Sequence, residues 1–315
     1  LLRFSGRFLA SCAWAVLDPF QLALGGLRAV ERASFDAFRC LVHARASHAC
    51  AIEGGRLFMR ILNYEVKRHR GHKVGETDIG YLSGVKFEHF LNIFLGPCAA
   101  APDFFFIQVG AHNGVSNDHL HNLIEKRKPR GILVEPQTLE FEVLTSNYSH
   151  CDTLVFENIA IANEDGEKTF YTIRPELQFL RYANQIASLS HDHTKRLLTF
   201  HLSNEASAQV VREFKSRNLK IEDCIAIQTV KCQTFRSLLE KHNVSRYDLL
   251  QVDAEGFDYE ILKSADLETY KPRLINYEHG NLTEHDKYES WKYLIGLGYH
   301  LFTHGMGDTA AYLLD

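Results

Sequence analysis

A chain of 315 residues is long enough for one large domain with an appendage. With 45% hydrophobic and 23% charged residues it has an ordinary folded composition, and a net charge of −4 argues against a nucleic-acid binder that works by general phosphate neutralisation, though not against a local basic patch. Seven cysteines, at 12, 40, 50, 98, 151, 224 and 232, show neither a CxxC pair nor metal-ligand spacing, so reduced thiols and a cytoplasmic compartment are expected.

Residues 1–60 hold eight Arg, no Lys and 11 Ala, against 15 Ala in the other 255 residues. That shift sets a boundary near 60. Arg-rich, acid-poor sequence suits an organelle-targeting segment, but a helical extension outside the working domain is the plainer expectation. The apolar stretch 8–27 is interrupted by Asp18, Pro19 and Gln21, so no transmembrane span is expected. Residues 61–100 read as a helical lead-in. Tyr81, Leu82, Val85, Phe87, Phe90, Leu91 and Phe94 recur at helical spacing, and Gly96-Pro97 and Pro102 break the pattern.

The working domain is expected over 101–315. Its predicted elements begin with a strand at 104–109, a helix at 116–127 capped by Ser116, and a strand at 131–135 stopped by Pro136. A helix at 138–147 and a strand at 153–161 follow. Asn163-Glu-Asp-Gly166 is a turn signal, which predicts a hairpin strand over Lys168–Ile173. Residues 174–224 interrupt the alternation as an insertion with helices at 191–201 and 205–218. In it, His191-Asp-His193 reads as a helix start, its acid near the positive end of the dipole, rather than a metal pair. Arg174, Phe179, Arg181, Tyr182 and Ser188 mark the insertion as a substrate lid or a structural cap. Alternation resumes with a strand at 225–231, a helix at 234–242, a strand at 248–253 and a helix at 258–264. The last elements are a strand at 273–279, a helix at 284–296 and strands at 299–304 and 309–314. The closing pair is expected to put an antiparallel strand at the sheet edge.

Two strand ends carry the chemistry. Phe104-Phe-Phe-Ile-Gln-Val-Gly110-Ala-His-Asn-Gly114 and Asp248-Leu-Leu-Gln-Val-Asp253-Ala-Glu255-Gly256 are apolar runs ending in small and polar residues. In an open α/β sheet, ligands bind outside the carboxyl ends of the strands where their order reverses. The glycines let backbone approach a ligand, but Gly-x-Gly-x-x-Gly is absent, which argues against a nicotinamide-dependent oxidoreductase. Glu135 ends a strand 21 residues after Gly114, where a carboxylate can accept both hydroxyls of a ribose.

Val109-Gly-Ala-His-Asn-Gly114, Val134-Glu135-Pro136, Asn158-Ile-Ala160, Thr234-Phe-Arg-Ser-Leu-Leu239 and Leu250-Gln-Val-Asp253-Ala-Glu255-Gly256-Phe-Asp258-Tyr-Glu-Ile-Leu262 occur in that order. Together they resemble the FkbM-type methyltransferases, over about residues 100–314. The resemblance implies a class I, Rossmann-like α/β fold: a seven-stranded, mostly parallel sheet with an antiparallel C-terminal hairpin. It implies S-adenosyl-L-methionine as cofactor and methylation of a hydroxyl on a small molecule or glycan. Gly110, His112, Asn113 and Gly114 would line the methionine side, Glu135 would hold the ribose, Asn158 and Ala160 would lie beside the adenine, and Asp253 and Glu255 would face the junction with the acceptor. The family often has Asp at Gln108, and members that carry Gln there have Asn-Asp where this chain has His112-Asn113, so negative charge beside the sulfonium is reduced. Asp253 or His279 is the expected general base, Glu255 and Glu278 being further candidates. A metal held by Asp253, Glu278 and His279 is a competing expectation that no local ligand motif supports. A chain that kept the fold as a binding scaffold without catalysis is the alternative function.

Overall fold

The computed structural model describes residues 72–81, 87–95, 101–174, 177, 185–205, 208–305 and 307–313. The expectations for 1–60, for part of the lead-in, and for Phe179, Arg181 and Tyr182 lie outside these residues. The chain divides into units Leu1–Leu62 and Asn63–Asp315, and every described residue belongs to the second.

In chain order, β1 (His72–Val74) and β2 (Thr77–Tyr81) precede helix α1 (Phe87–Phe94). Then come β3 (Phe105–Val109), α2 (His121–Arg127), β4 (Arg130–Val134), α3 (Thr138–Asn147) and β5 (Leu154–Glu157). Short β6 (Ala160–Ile161), β7 (Gly166–Ile173) and β8 (Ala187–Ser188) lead into α4 (His191–Phe200), which continues as a π-helical turn, His201–Glu205. Next are α5 (Ala208–Ser216), α6 (Ile221–Cys224), β9 (Ile225–Gln233), α7 (Phe235–Lys241), β10 (Leu249–Val252) and α8 (Asp258–Ser264). The chain finishes with β11 (Leu274–Glu278), α9 (Glu284–Gly296), β12 (His300–His304) and β13 (Asp308–Tyr312).

The main sheet has nine strands in the order β1-β2-β12-β13-β11-β10-β3-β4-β5. The strands from β11 through β10, β3 and β4 to β5 are parallel, and β13 runs antiparallel to both β11 and β12. Phe106, Ile107, Ile132, Leu133, Leu249, Leu250 and Ile275 are all fully buried, as expected of central parallel strands covered on both faces. From β3 the chain proceeds to β4 and β5 on one side; it later crosses back to β10 and β11 on the other. The switch point therefore lies between the carboxyl ends of β3 and β10.

Five expectations are corrected. Residues 72–81 form an antiparallel ribbon, not helix, turning at Gly75 with φ +58°. Its β2 pairs in parallel with β12, so the sheet exceeds seven strands and the closing hairpin is not at its edge. The strand expected over 153–161 breaks at Asn158, and β6 joins a separate four-stranded sheet, β6-β9-β7-β8. There β7 pairs along its length with β9, from Gly166↔Cys232 to Ile173↔Ile225, instead of returning onto β5. Finally, α2 starts at His121 and not after Ser116; Asp118 Oδ1 accepts from the Leu120 and His121 amides at 2.5 and 3.1 Å, as a capping side chain does.

Helix α1 belongs to the core. Phe90 meets Phe302 edge-on at 4.8 Å and stacks with Phe94 at 5.4 Å.

Candidate active site

The turn after β3 is shaped by backbone crowding. Gly110 has φ +78°, and a Cβ there would stand 1.7 Å from the Asp253 carbonyl oxygen. The Asp253 amide donates to Val109 O at 2.9 Å, so β3 and β10 converge at this point. No residue but glycine fits. Gly114, with φ +74°, has the Tyr148 ring 2.4 Å from where a Cβ would be. Asn113 Oδ1 accepts from the Val115 and Ser116 amides at 3.0 and 2.8 Å, locking the turn.

Glu135 is buried just beyond β4. Its Oε2 accepts from the His112 amide and its Oε1 from the Gln137 amide, both at 2.8 Å. Burial pushes its carboxyl up to about 7, against the pull of those two amides. Asn158 Nδ2 donates to Glu135 O at 2.8 Å and to Pro136 O at 3.2 Å, anchoring the strand end from outside. His112 Nε2 lies 3.2 Å from Glu140 Oε2.

Beyond β10, the carboxylates of Asp253, Glu255 and Glu278 lie within 4.8 Å of one another. Glu255 sits at φ +48°. Buried Asp258 holds this loop, accepting from the Ala254 and Gly256 amides at 3.3 and 3.2 Å. Burial raises Glu255 and Glu278 well above the usual carboxyl range, and neighbouring carboxylates add to the effect. Asn281 Nδ2 bridges them, donating to Glu255 Oε2 at 2.9 Å and Glu278 Oε2 at 2.6 Å. Asp253 opens onto the cavity, yet crowding by protein atoms, and then Asp308, pushes its carboxyl up to about 6.

The insertion supplies the facing wall. A Cβ on Gly256 would stand 2.3 Å from the His193 ring of α4. Ser188 Oγ donates to Glu255 O at 3.3 Å, and Arg196 donates to Asn281 O at 2.9 Å. Ser190 caps α4, its side chain accepting from the His193 amide, so His191-Asp-His193 is the helix start expected. Together these elements enclose a cavity of ≈ 1450 Å³.

Of the residues singled out from sequence, Gln108, Gly110, His112, Glu135, Ala160, Ser188, Asp253, Glu255 and Glu278 line this cavity. Asn113, Gly114 and Asn158 stand behind its wall in the contacts just described. His279 does not line it either. Its Nδ1 is 2.9 Å from Thr309 Oγ1 and its ring meets Trp291 edge-on at 5.5 Å. Burial pushes it down to about 4, leaving a neutral ring at physiological pH. The base expected at His279 therefore lacks access to the cavity, and the set Asp253, Glu278 and His279 is not gathered. Sequence reading missed His119, His304 and Asp308, which all line the cavity. Nothing local distinguishes the two histidines among the chain's 17.

A mostly parallel sheet with flanking helices, whose switch-point cavity is framed by a glycine turn and a strand-end carboxylate, defines the class of α/β proteins that bind a nucleotide-like ligand there. More particularly, the profile described as Methyltransferase FkbM domain matches residues 108–301, over half of the chain, and the chain belongs to that family. Among solved structures, the methyltransferase FkbM from Methylobacillus flagellatus aligns at 12% identity and a TM-score of 0.41, covering 89% of this chain and 59% of that one. This chain thus spans under two thirds of that relative. The N-terminal domain of human METTL16 in complex with SAH aligns at 11% identity and a TM-score of 0.37, covering 84% and 83%. No curated protein matches significantly. Among the described residues, no helix is long and apolar enough to cross a membrane.

Proposed function

We propose that this chain is an S-adenosyl-L-methionine-dependent O-methyltransferase acting on a hydroxyl of a small molecule or glycan. Family membership supports the reaction class. The observation that carries the cofactor assignment is Glu135, a buried carboxylate at a strand end that faces the cavity. Each of its oxygens accepts one backbone N–H and keeps lone-pair capacity for one ribose hydroxyl. Gln108 Oε1, buried on the same wall, has no hydrogen-bond partner, an orphaned acceptor of the kind a ligand donor satisfies. A volume of ≈ 1450 Å³ exceeds the roughly 300–1,000 Å³ of a single-ligand pocket, leaving room for cofactor and acceptor together. Bound there, the cofactor supplies an electrophilic methyl group on a sulfonium.

The chain's own residues do the rest. Gly110 and His112 present backbone to the methionine portion, Ala160 lies beside the base, and Glu135 fixes the ribose. Rate comes mainly from holding the acceptor oxygen in line with the methyl. Asp253, with its carboxyl lifted toward neutrality and open to the cavity, takes the hydroxyl proton as transfer completes. Residues Gln185 to Leu189 and Phe200, from the insertion, shape the acceptor end. The test is transfer of labelled methyl from the cofactor to a panel of hydroxylated acceptors. Asp253→Asn should lower kcat by about 10²–10⁴-fold while cofactor affinity stays within a few-fold. Equal kcat in both proteins would remove Asp253 as the base. A folded chain that binds no cofactor would be a scaffold.

A further inference from the structure

Two imidazoles and a carboxylate that the motifs do not account for meet on one wall of the cavity. His119 comes from the turn before α2, His304 ends β12 and Asp308 opens β13. One donor atom from each lies within 4.8 Å of the others, and His119 Nε2 stands 3.7 Å from Asp308 Oδ1. Donor atoms that share one tetrahedral ion, each about 2.1 Å from it, lie roughly 3.4 Å apart. Small side-chain rotations therefore close this set on a cation.

The rings are held in place by packing. His304 stacks on Phe87 with centroids 4.4 Å and planes 2° apart. His119 meets the same phenyl ring edge-on at 5.3 Å, and His304 at 5.6 Å. A pair of buried amides fixes which nitrogen His304 offers. Gln251 and Asn276 are register neighbours on β10 and β11, and Asn276 Nδ2 donates to Gln251 Oε1 at 3.0 Å. Asn276 Oδ1 is left to accept from His304 Nε2, at 2.8 Å. That nitrogen carries the hydrogen, so Nδ1 of the neutral ring bears the free lone pair. An outer hydrogen bond that sets tautomer and ring orientation is how metal-binding histidines are usually held. Both amides are buried, and their hydrogen-bond chain ends on His304 and orients it.

We propose that His119, His304 and Asp308 bind one divalent first-row transition ion of the Zn²⁺ type, with a coordination position open to the cavity. Two imidazoles and one carboxylate suit such an ion better than Mg²⁺ or Ca²⁺, which take oxygen ligands. The neighbouring group of Asp253, Glu255 and Glu278 offers only oxygen, and Asn281 already bridges two of its members. At the histidine wall, the ion takes the acceptor's hydroxyl oxygen in its open position and lowers its pKa. The O–H bond breaks and the proton passes to the Asp253 carboxylate. That role rests on the methyl-transfer reading, whereas binding of the ion does not.

The test is titration of the full chain, stripped by a chelator, with Zn²⁺ alone, and with Co²⁺ as a spectroscopic stand-in. One equivalent should bind, and Co²⁺ should show the visible d–d absorption of a low-coordinate nitrogen and oxygen site. His119→Gln and Asp308→Asn, each checked for folding by circular dichroism, should weaken uptake by about 100-fold or more. His150→Ala should leave it unchanged. Uptake lost in His150→Ala but kept in the other two variants would assign the ion to the cluster Glu125, His150 and Cys151 and overturn the proposal. Uptake lost only in Asp253→Asn would move the ion to the acidic group and overturn it equally, as would a folded chain that takes up no Zn²⁺. With no cofactor in the titration, failure here leaves the methyl-transfer reading intact, and failure of that reading leaves the ion site intact.

Discussion

Glu135 is the side chain on which cofactor binding turns. Its folded carboxyl lies near 7, raised from 4.5 chiefly by burial. Ionising a group raised in this way costs stability, so its stabilising contribution is complete below about 4.5 and is lost as pH rises through 7. Cofactor binding runs the other way, because ribose hydroxyls donate to the carboxylate. Affinity for S-adenosyl-L-methionine should therefore rise as pH passes from 6 to 8 and then level off. In Glu135→Gln that rise should vanish, and affinity at pH 8 should fall by about 10- to 100-fold, the usual scale for losing hydrogen bonds to a charged acceptor. Calorimetry across that pH range checks both; a pH-dependent rise that persists in the variant would refute the assignment. At this scale the sequence was informative where residue type and strand end coincide, as at Gly110, Glu135 and Asp253. It was misleading where direction matters. Asn113, Asn158 and His279 leave the strand ends through turns whose dihedrals, not a period of two, decide where side chains point. His119 and His304 meet only through the fold.

Among the elements, two junctions hold the site. The first is the crossing of β3 and β10, where Gly110 faces the Asp253 carbonyl. Gly110→Ala puts a methyl group into backbone that cannot retreat and a φ that disfavours it. It should abolish cofactor binding and lower stability by at least about 1–3 kcal/mol, read from urea unfolding; normal binding in this variant would contradict the described convergence. The second is the ribbon β1–β2, which seals the β12 edge. Ile79 is fully buried there, so Ile79→Ala should cost about 2–5 kcal/mol. Cofactor affinity of the folded fraction should stay unchanged, since the ribbon's buried residue is remote from the Glu135 wall. The ribbon was hidden from sequence reading because the helical spacing of Phe87, Phe90 and Phe94 extends backward through Tyr81 and Leu82 by coincidence. The parallel strands were legible because burial on both faces requires long apolar runs. Pairing of β7 with β9 was not, since it depends on a partner far along the chain.

For the molecule as a whole, the switch point, the acidic loop and the insertion converge on one cavity, and each comes from a different part of the sequence. The insertion is tied down through Ser188, His193 and Arg196, so it acts as a fixed wall at those contacts. The central claim is that this cavity takes S-adenosyl-L-methionine with Glu135 as its ribose anchor. The measurement that tests it most directly is calorimetric titration of the full chain with that cofactor, beside NAD as a control and Glu135→Gln as the variant. One equivalent of S-adenosyl-L-methionine should bind, NAD should give no response, and the variant should show a marked loss. Absence of binding in a folded chain, or equal affinity in the variant, would contradict the claim.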